Sequence, residues 1–114
     1  MKRKTIRKHL DFYMPHDCLT VRAEPCIIKA KPAKLLDDAR YGIVVSKRGY
    51  FLSTKRNRAK RLLRDWIGFN EKLMEPELDY VFFANDNLDM FSRETGRQEI
   101  ATALKKISKL YGKK

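Results

Sequence analysis

A short segment in the middle of the chain carries the side chains best suited to bind an anion. Residues 55–64 contain six Lys and Arg residues and no acid. Arginine guanidinium groups form paired hydrogen bonds with phosphate oxygens, and an asparagine among them can bond a sugar or a base edge. The candidate contacts with a polyanion in this segment are Arg56, Asn57, Arg58, Lys60, Arg61 and Arg64.

The position of these bases in a predicted helix strengthens the argument. Apolar residues spaced three and four apart from Ala59 to Met74 predict a helix that begins within this segment. The N-terminus of a helix carries partial positive charge, so each base there costs about 0.3–1 kcal/mol of stability. The free N–H groups of the same turn bind phosphate. We therefore expect an anionic partner at the start of this helix.

The whole chain is basic, but its charge is unevenly distributed. Its 114 residues include 26 Lys+Arg and 14 Asp+Glu, which gives a net charge of +12. Bases without acids occupy residues 1–8 and 46–64, whereas residues 71–99 are rich in acids. This segregation predicts a basic face for nucleic acid, with the acid-rich stretch turned away from it. A solvated charged surface is the alternative.

Length and composition limit the class of protein. The length suits a single domain over residues 1–114, and 43% hydrophobic residues suffice for a core. No apolar run reaches the roughly 20 residues of a membrane-spanning helix, and no secretory signal follows the charged start. Cys18 and Cys26 are too few for a disulfide scaffold, so a reducing cytoplasm is the expected location.

No group of side chains predicts catalysis by the protein itself. The two histidines and two cysteines lack the paired spacing of a zinc site. Asp37, Asp38 and Asp79 are scattered acids without an evident second carboxylate cluster for magnesium. We expect no catalytic residue, no protein-bound metal or cofactor and no small-molecule substrate.

The remaining pattern predicts the elements that position the basic helix. Residues 3–14 suggest a short N-terminal helix, ended by Pro15. Strands are predicted over residues 26–31, 41–46, 50–53 and 80–84. The order helix, strands, helix, strand, helix predicts an α/β (α+β) two-layer sandwich, with a small, mostly four-stranded sheet and the helices on one face.

Cap residues mark the predicted helix ends. Thr54 or Asn57 would cap the basic helix through a side-chain oxygen. The pattern Thr95-x-x-Gln98 fits a capping box at the start of the last helix. Gly112 suits the C-terminal cap of that helix.

Two motifs resemble those of a known family. The stretches VVSKRG at 44–49 and RNRAKRLLRD at 56–65 are similar to the signature of the bacterial ribonuclease P protein subunit. That family pairs a Val-Ser-Lys-Lys strand end with an Arg-Asn-Arg-x-Lys-Arg helix start. Asp11-Phe12 and the C-terminal amphipathic helix also fit, whereas Pro15-His16 stands where the family usually has a Val-Phe-like pair.

The resemblance implies the accessory subunit of an endoribonuclease whose chemistry belongs to an RNA. A catalytic RNA with Mg²⁺ would remove the 5′ leader from precursor tRNA, and the basic helix would contact that RNA. A cleft between the first helix and the sheet would receive the single-stranded leader. The implied fold is ribosomal protein S5 domain 2-like, with a left-handed βαβ crossover.

Leader binding requires a basic groove with aromatic side chains for base stacking. Lys29 and Lys31 alternate with Ile28 and Ala30, so the two lysines share one face of a strand. The predicted leader contacts are Phe12, Tyr13, Lys29, Lys31, Ser46, Lys47 and Arg48. Core packing is the alternative for Phe12, and ordinary solvent exposure is the alternative for the lysines.

Three other functions remain open at this point. A ribosomal or other structural RNA-binding protein would share the basic face without a role in cleavage. A self-sufficient metal-dependent nuclease would cut RNA alone and lose that activity on substitution of Asp37 or Asp79. A membrane-surface protein would need exposed apolar residues beside the bases, whereas here the core needs that apolar stripe.

Overall fold

The computed structural model describes residues 3–7, 12–33, 39–46 and 52–112. Five strands and two helices make up this part of the chain. In chain order they are β1 (Lys4–Thr5), β2 (Leu19–Arg22), β3 (Cys26–Pro32), β4 (Arg40–Val44), α1 (Ser53–Phe69), β5 (Leu78–Ala84) and α2 (Arg93–Gly112). Short 3₁₀ turns at Glu71–Leu73 and Leu88–Met90 precede β5 and α2.

The five strands form one mixed sheet in the order β1-β4-β5-β3-β2. β4 is parallel to both β1 and β5, while β3 is antiparallel to β5 and β2. Parallel neighbours need a long crossover connection, and α1 lies in the connection from β4 to β5. This is the βαβ unit for which the family resemblance predicts a left-handed crossover.

Both helices cover the same face of the sheet. Ile28 and Ala30 of β3 and Tyr80 and Phe82 of β5 are buried in one hydrophobic cluster with the helices. The helices contribute Ala59, Leu63, Trp66 and Ile67 from α1 and Ile100, Ala103, Leu104 and Ile107 from α2. Full burial of one such side chain stabilises the fold by about 1.5–3 kcal/mol. The predicted two-layer sandwich is therefore confirmed, together with both apolar stripes.

The sheet has five strands where the sequence predicted four, and the strand predicted over 50–53 is not one of them, because Ser53 begins α1 and residues 50–51 lie outside the described residues. β2 was not predicted, and Lys4–Thr5 is a strand paired with β4 rather than the start of a helix. The Ile6 N–H extends this pairing by donating to the Tyr41 carbonyl at 2.8 Å. The prediction of a helix over 3–14 is thus wrong at its start, and its centre, residues 8–11, lies outside the described residues.

The helix caps also differ from the predicted ones. α1 begins at Ser53 after Leu52, so Thr54 and Asn57 lie inside the helix and cap nothing. α2 begins two residues earlier than expected, because the Thr95 N–H donates to Ser92 Oγ at 3.1 Å. The cap of α2 is therefore Ser92. Neither helix in the described part of the chain is long and apolar enough to cross a membrane.

Candidate nucleic-acid interface

Helix α1 separates its apolar residues from its bases. Its buried stripe packs on the sheet, which leaves the other sides of the helix for the predicted RNA contacts. Asn57, Arg58, Arg61 and Arg64 are exposed, and Arg56 and Lys60 are half-buried. The structure thus brings all six predicted contacts together along one helix that the core holds in place.

The start of α1 is electrostatically unbalanced. Its first turn contains no acid, and the apolar Leu52 occupies the cap position without a side-chain hydrogen bond. Lys55, Arg56 and Arg58 lie in the first two turns, where the helix dipole already supplies positive charge. An anion at this end would relieve both the repulsion between the bases and the lack of a cap.

The bases of α1 occupy two flanks of the helix. Lys60 and Arg64, one turn apart, line a small cavity of about 190 Å³ with Phe12 and Gly42. Arg58 and Arg61 lie on the other flank and line a separate pocket beside the start of α2. One flank therefore borders the sheet, and the other borders the second helix.

The face of the sheet opposite α1 and α2 collects basic and aromatic side chains. The register places Lys29 beside Val81 and Ile27 beside Phe83, with side chains on the face opposite Ile28 and Ala30. The Lys29 ammonium lies 5.8 Å from the centre of the Phe83 ring. The predicted common face of Lys29 and Lys31 is confirmed by this register, and the helices do not cover it.

Phe12 lies on this same face, outside the helix-side core. A Cβ atom at Gly42 would lie only 2.5 Å from Phe12 Cε1, so the ring sits directly over the backbone of β4. Tyr13 follows with 70% of its surface exposed, and its carbonyl accepts a 2.6 Å hydrogen bond from Lys31 Nζ. Phe12, Lys29, Lys31 and Phe83 share this face, and we refer to them together as the candidate groove.

A buried ion pair supports the floor of this groove. Asp79 is fully buried in β5, accepts the Arg40 backbone N–H at 2.6 Å and lies 3.3 Å from the Arg40 guanidinium. Asp79 was considered as a candidate magnesium ligand, but both of its oxygens contact Arg40. Removal of either partner of a buried pair costs about 3–5 kcal/mol, so this carboxylate has a structural role.

Sequence reasoning missed other residues of this face. Arg22, Val44 and Phe83 lie in the row that crosses the sheet through Ile27, and Arg40 lies in the row through Lys31. The predicted strand began at Tyr41, one residue after the true start of β4. Had it begun at Arg40, the alternation of faces would have placed Arg40 on the same side as Gly42, which faces the groove. Arg22 was missed with β2 itself.

Other basic or polar residues from the sequence analysis lie at or beyond the edge of the described structure, or belong to the fold. Lys47 and Arg48 lie outside the described residues, and Ser46 is exposed just beyond β4. Arg3 belongs to the fold, because its guanidinium donates to the carbonyls of Leu78 and Glu75, and burial lowers its pKa. The basic N-terminal segment is thus partly structural.

Burial also keeps the interior thiol unreactive. Cys26 is fully buried, and desolvation raises its pKa from 9.0 to about 12. Cys18 is half-exposed, and both cysteines are free thiols. Across residues 3–7, 12–33, 39–46 and 52–112, no three His, Cys, Asp or Glu residues are grouped to hold a metal ion.

Fold and surface together define a small α/β protein with a basic helix beside a sheet face that carries aromatic and basic side chains. The family profile described as Ribonuclease P matches residues 2–108. The chain therefore belongs to the ribonuclease P protein family, as its motifs predicted.

Individual relatives agree with this assignment. The Ribonuclease P protein component of Pseudomonas putida is 32% identical over 74 residues, which cover 65% of this chain and 55% of the relative. That of Marinobacter nauticus is 30% identical over 79 residues, or 69% of this chain and 58% of the relative. The chain thus matches a little over half the length of these curated relatives.

Solved structures establish the fold independently. The RNase P protein of Staphylococcus aureus superposes with a TM-score of 0.74 at 22% identity, over 91% of this chain and 94% of that one. The RNase P protein of Thermotoga maritima gives a TM-score of 0.73 at 20% identity, over 91% and 97% of the two chains. At this identity the likeness concerns the fold alone.

Proposed function

We propose that this chain is the protein subunit of ribonuclease P and promotes 5′ maturation of tRNA. It binds the catalytic RNA through α1 and acts as an accessory subunit, while the RNA carries out the cleavage. The observation that carries the proposal is the unbalanced start of α1, with three bases, no acid and no side-chain cap. A phosphate backbone supplies the missing negative charge.

The face of the sheet opposite α1 and α2 receives the 5′ leader of precursor tRNA in this proposal. Phe12 and Phe83 offer ring surfaces, and Lys29 and Lys31 lie beside them for the phosphates. This combination of stacking surfaces and a basic groove suits a single strand more than a duplex, whose bases are not free to stack. The cavity lined by Lys60, Arg64 and Phe12 joins this face to the RNA-binding helix.

The proposal also includes the metal ion of the reaction and the cellular compartment of the protein. We expect Mg²⁺ to act in the RNA-catalysed step and to be held by the RNA. An activity on precursor tRNA belongs in the cytoplasm, and the two free thiols are compatible with that compartment.

A cleavage assay tests the proposal. The protein is mixed with the cognate catalytic RNA and a leader-bearing precursor tRNA at low magnesium, and release of the leader is followed. We expect the protein to accelerate cleavage and to cut nothing alone. RNA binding without acceleration would instead indicate a structural RNA-binding protein, and cleavage without the RNA would indicate a nuclease.

Substitution Phe12→Ala tests the groove. One stacked base contributes about 1–3 kcal/mol, so the affinity for leader-bearing precursor should fall at least about fivefold. Affinity for mature tRNA should not change. The matched control is Phe69→Ala, because Phe69 is 63% exposed on α1 and stacks with Arg97 instead of facing the groove. Unchanged precursor affinity with a large loss of stability would assign Phe12 to packing alone.

A further inference from the structure

A pocket between the two helices is lined by arginines from two separate segments, the basic start of α1 and the acid-rich stretch that leads into α2. It has a volume of about 360 Å³, and its lining residues are Arg58, Arg61, Leu62, Asp65, Trp66 and Arg93. Arg93 is the first residue of α2 and belongs to the acid-rich stretch that was expected to face away from RNA. The fold instead brings it beside the basic helix.

The charges in this pocket are not balanced within the described chain. Asp65 is the one acid among the lining residues, and Arg97 holds both of its oxygens at 3.0 and 3.2 Å. The guanidinium groups of Arg58, Arg61 and Arg93 form no ion pair or hydrogen bond with any described residue. Three guanidinium groups around one pocket repel one another, and a bound anion removes that repulsion.

A buried donor at the same pocket also lacks an acceptor. Trp66 lines the pocket and is fully buried, and its Nε1–H has no hydrogen-bond partner among the described residues. Buried N–H groups are nearly always paired, so this donor lacks an acceptor among the described residues. The start of α2 adds the partial positive charge of a helix N-terminus.

Close packing fixes the geometry of the pocket. A Cβ atom at Gly96 would lie 2.2 Å from Trp66 Cε2, so the first turn of α2 presses directly on α1. Arg93 precedes Gly96 by about one turn, and Arg58 and Arg61 precede Trp66 by one to two turns. Glu94 follows Arg93 but does not line the pocket. Packing in the core therefore fixes the helix backbones from which the three arginines extend.

We propose that this interhelical pocket binds a backbone phosphate of the catalytic RNA, with Arg93 as a contact additional to α1. The inference rests on the proposed function and extends the RNA footprint from α1 to the start of α2. Arginine suits the role because its planar group bonds two phosphate oxygens at once.

The test compares Arg93→Gln with Lys105→Gln in the full chain. Both residues are exposed on α2, and each substitution removes one positive charge. Lys105, however, lies outside the pocket. For Arg93→Gln we expect about fivefold to tenfold weaker binding to the catalytic RNA and a salt slope reduced by about 0.7–0.9, as for one lost phosphate contact. Lys105→Gln should change both quantities much less.

The outcomes separate this inference from the proposed function. If the unsubstituted protein neither binds nor stimulates the catalytic RNA, the proposed function fails. If it does both and the two variants behave alike, only the assignment of Arg93 fails. Unfolding curves check that both variants are folded, which is expected because glutamine keeps good helix propensity.

The sole tryptophan gives a second readout at the pocket itself. Catalytic RNA should change the fluorescence of Trp66, and Arg93→Gln should reduce that change. Inorganic phosphate, at millimolar concentration and constant ionic strength, tests whether the pocket binds free phosphate in place of a phosphate of the RNA backbone. An Arg93-dependent response to inorganic phosphate but none to the RNA would overturn the assignment to RNA.

Discussion

The two helices of this protein begin in opposite ways. α2 starts with Ser92, whose Oγ accepts the Thr95 N–H, and has the acidic Glu94 in its first turn. α1 starts after an uncapped Leu52 and has bases where acids would stabilise it. α2 is thus stabilised by its own chain, whereas the N-terminal groups of α1 have no capping side chain. Under the proposed function, the sequence features that weaken α1 mark the end that binds RNA.

The start of α2 packs closely on Trp66, near the C-terminal end of α1, and disruption of this contact should have the largest effect. Gly96→Ala places a methyl group against the buried Trp66 ring, 2.2 Å from Cε2 before any relaxation. Overpacking of this kind costs about 1–3 kcal/mol, more than alanine gains in helix propensity. Urea unfolding of the free protein measures the loss.

Gly112→Ala is the matched control for this substitution. Nothing lies within 4 Å of a Cβ atom at Gly112, also in α2, so we expect no loss there and a gain of a few tenths of a kcal/mol at most. Equal stability of the two variants would show that the helices do not pack as closely as described.

The cap of α2 gives the next largest effect. Ser92→Ala removes the acceptor of the Thr95 N–H and should lower the free energy of unfolding by about 1 kcal/mol. Ser53→Ala, at the first residue of α1, removes no cap and should change it by less than about half of that. Similar losses for the two variants would contradict the contrast between the helix starts. Thermal or urea unfolding measures both.

The smallest expected effect is an increase in the free energy of unfolding, on substitution of Leu52. Leu52→Ser supplies α1 with the cap it lacks and should stabilise the free protein by about 0.5–1 kcal/mol. The exposed position of Leu52 means that little apolar burial is lost. A loss of stability would mean that Leu52 contributes packing which outweighs a cap. Unfolding of the free protein, without RNA, decides between these results.

Much of the fold could be predicted because its apolar residues follow clear periods. The stripes of α1 and α2 and the alternation in β3 each repeat over several residues, so burial alone determines their faces. β1 has two residues and β2 four, too few for a period to stand out. Their existence depends on hydrogen bonds to β4 and β3, which the local sequence does not show.

The residues of the candidate site also fall into two groups, those that could be predicted from the sequence and those that depend on packing of the fold. The bases of α1 are adjacent in sequence and were predicted together, as were Lys29 and Lys31. The approach of Arg93 to Arg58 depends on how two helices pack, and the pairing of Arg97 with Asp65 spans 32 residues. Ser92 and Thr95 are both plausible caps by residue type, and only the path of the backbone selects Ser92.

The salt dependence of binding to the catalytic RNA tests the central claim most directly. The claim is that the bases at the start of α1 contact phosphates, and Arg58→Gln removes one of them. Lys72→Gln removes an equally exposed charge from the acid-rich stretch. We predict that Arg58→Gln reduces the slope of log affinity against log salt concentration by about 0.7–0.9, while Lys72→Gln leaves it unchanged. Equal slopes for the unsubstituted protein and Arg58→Gln would contradict the account.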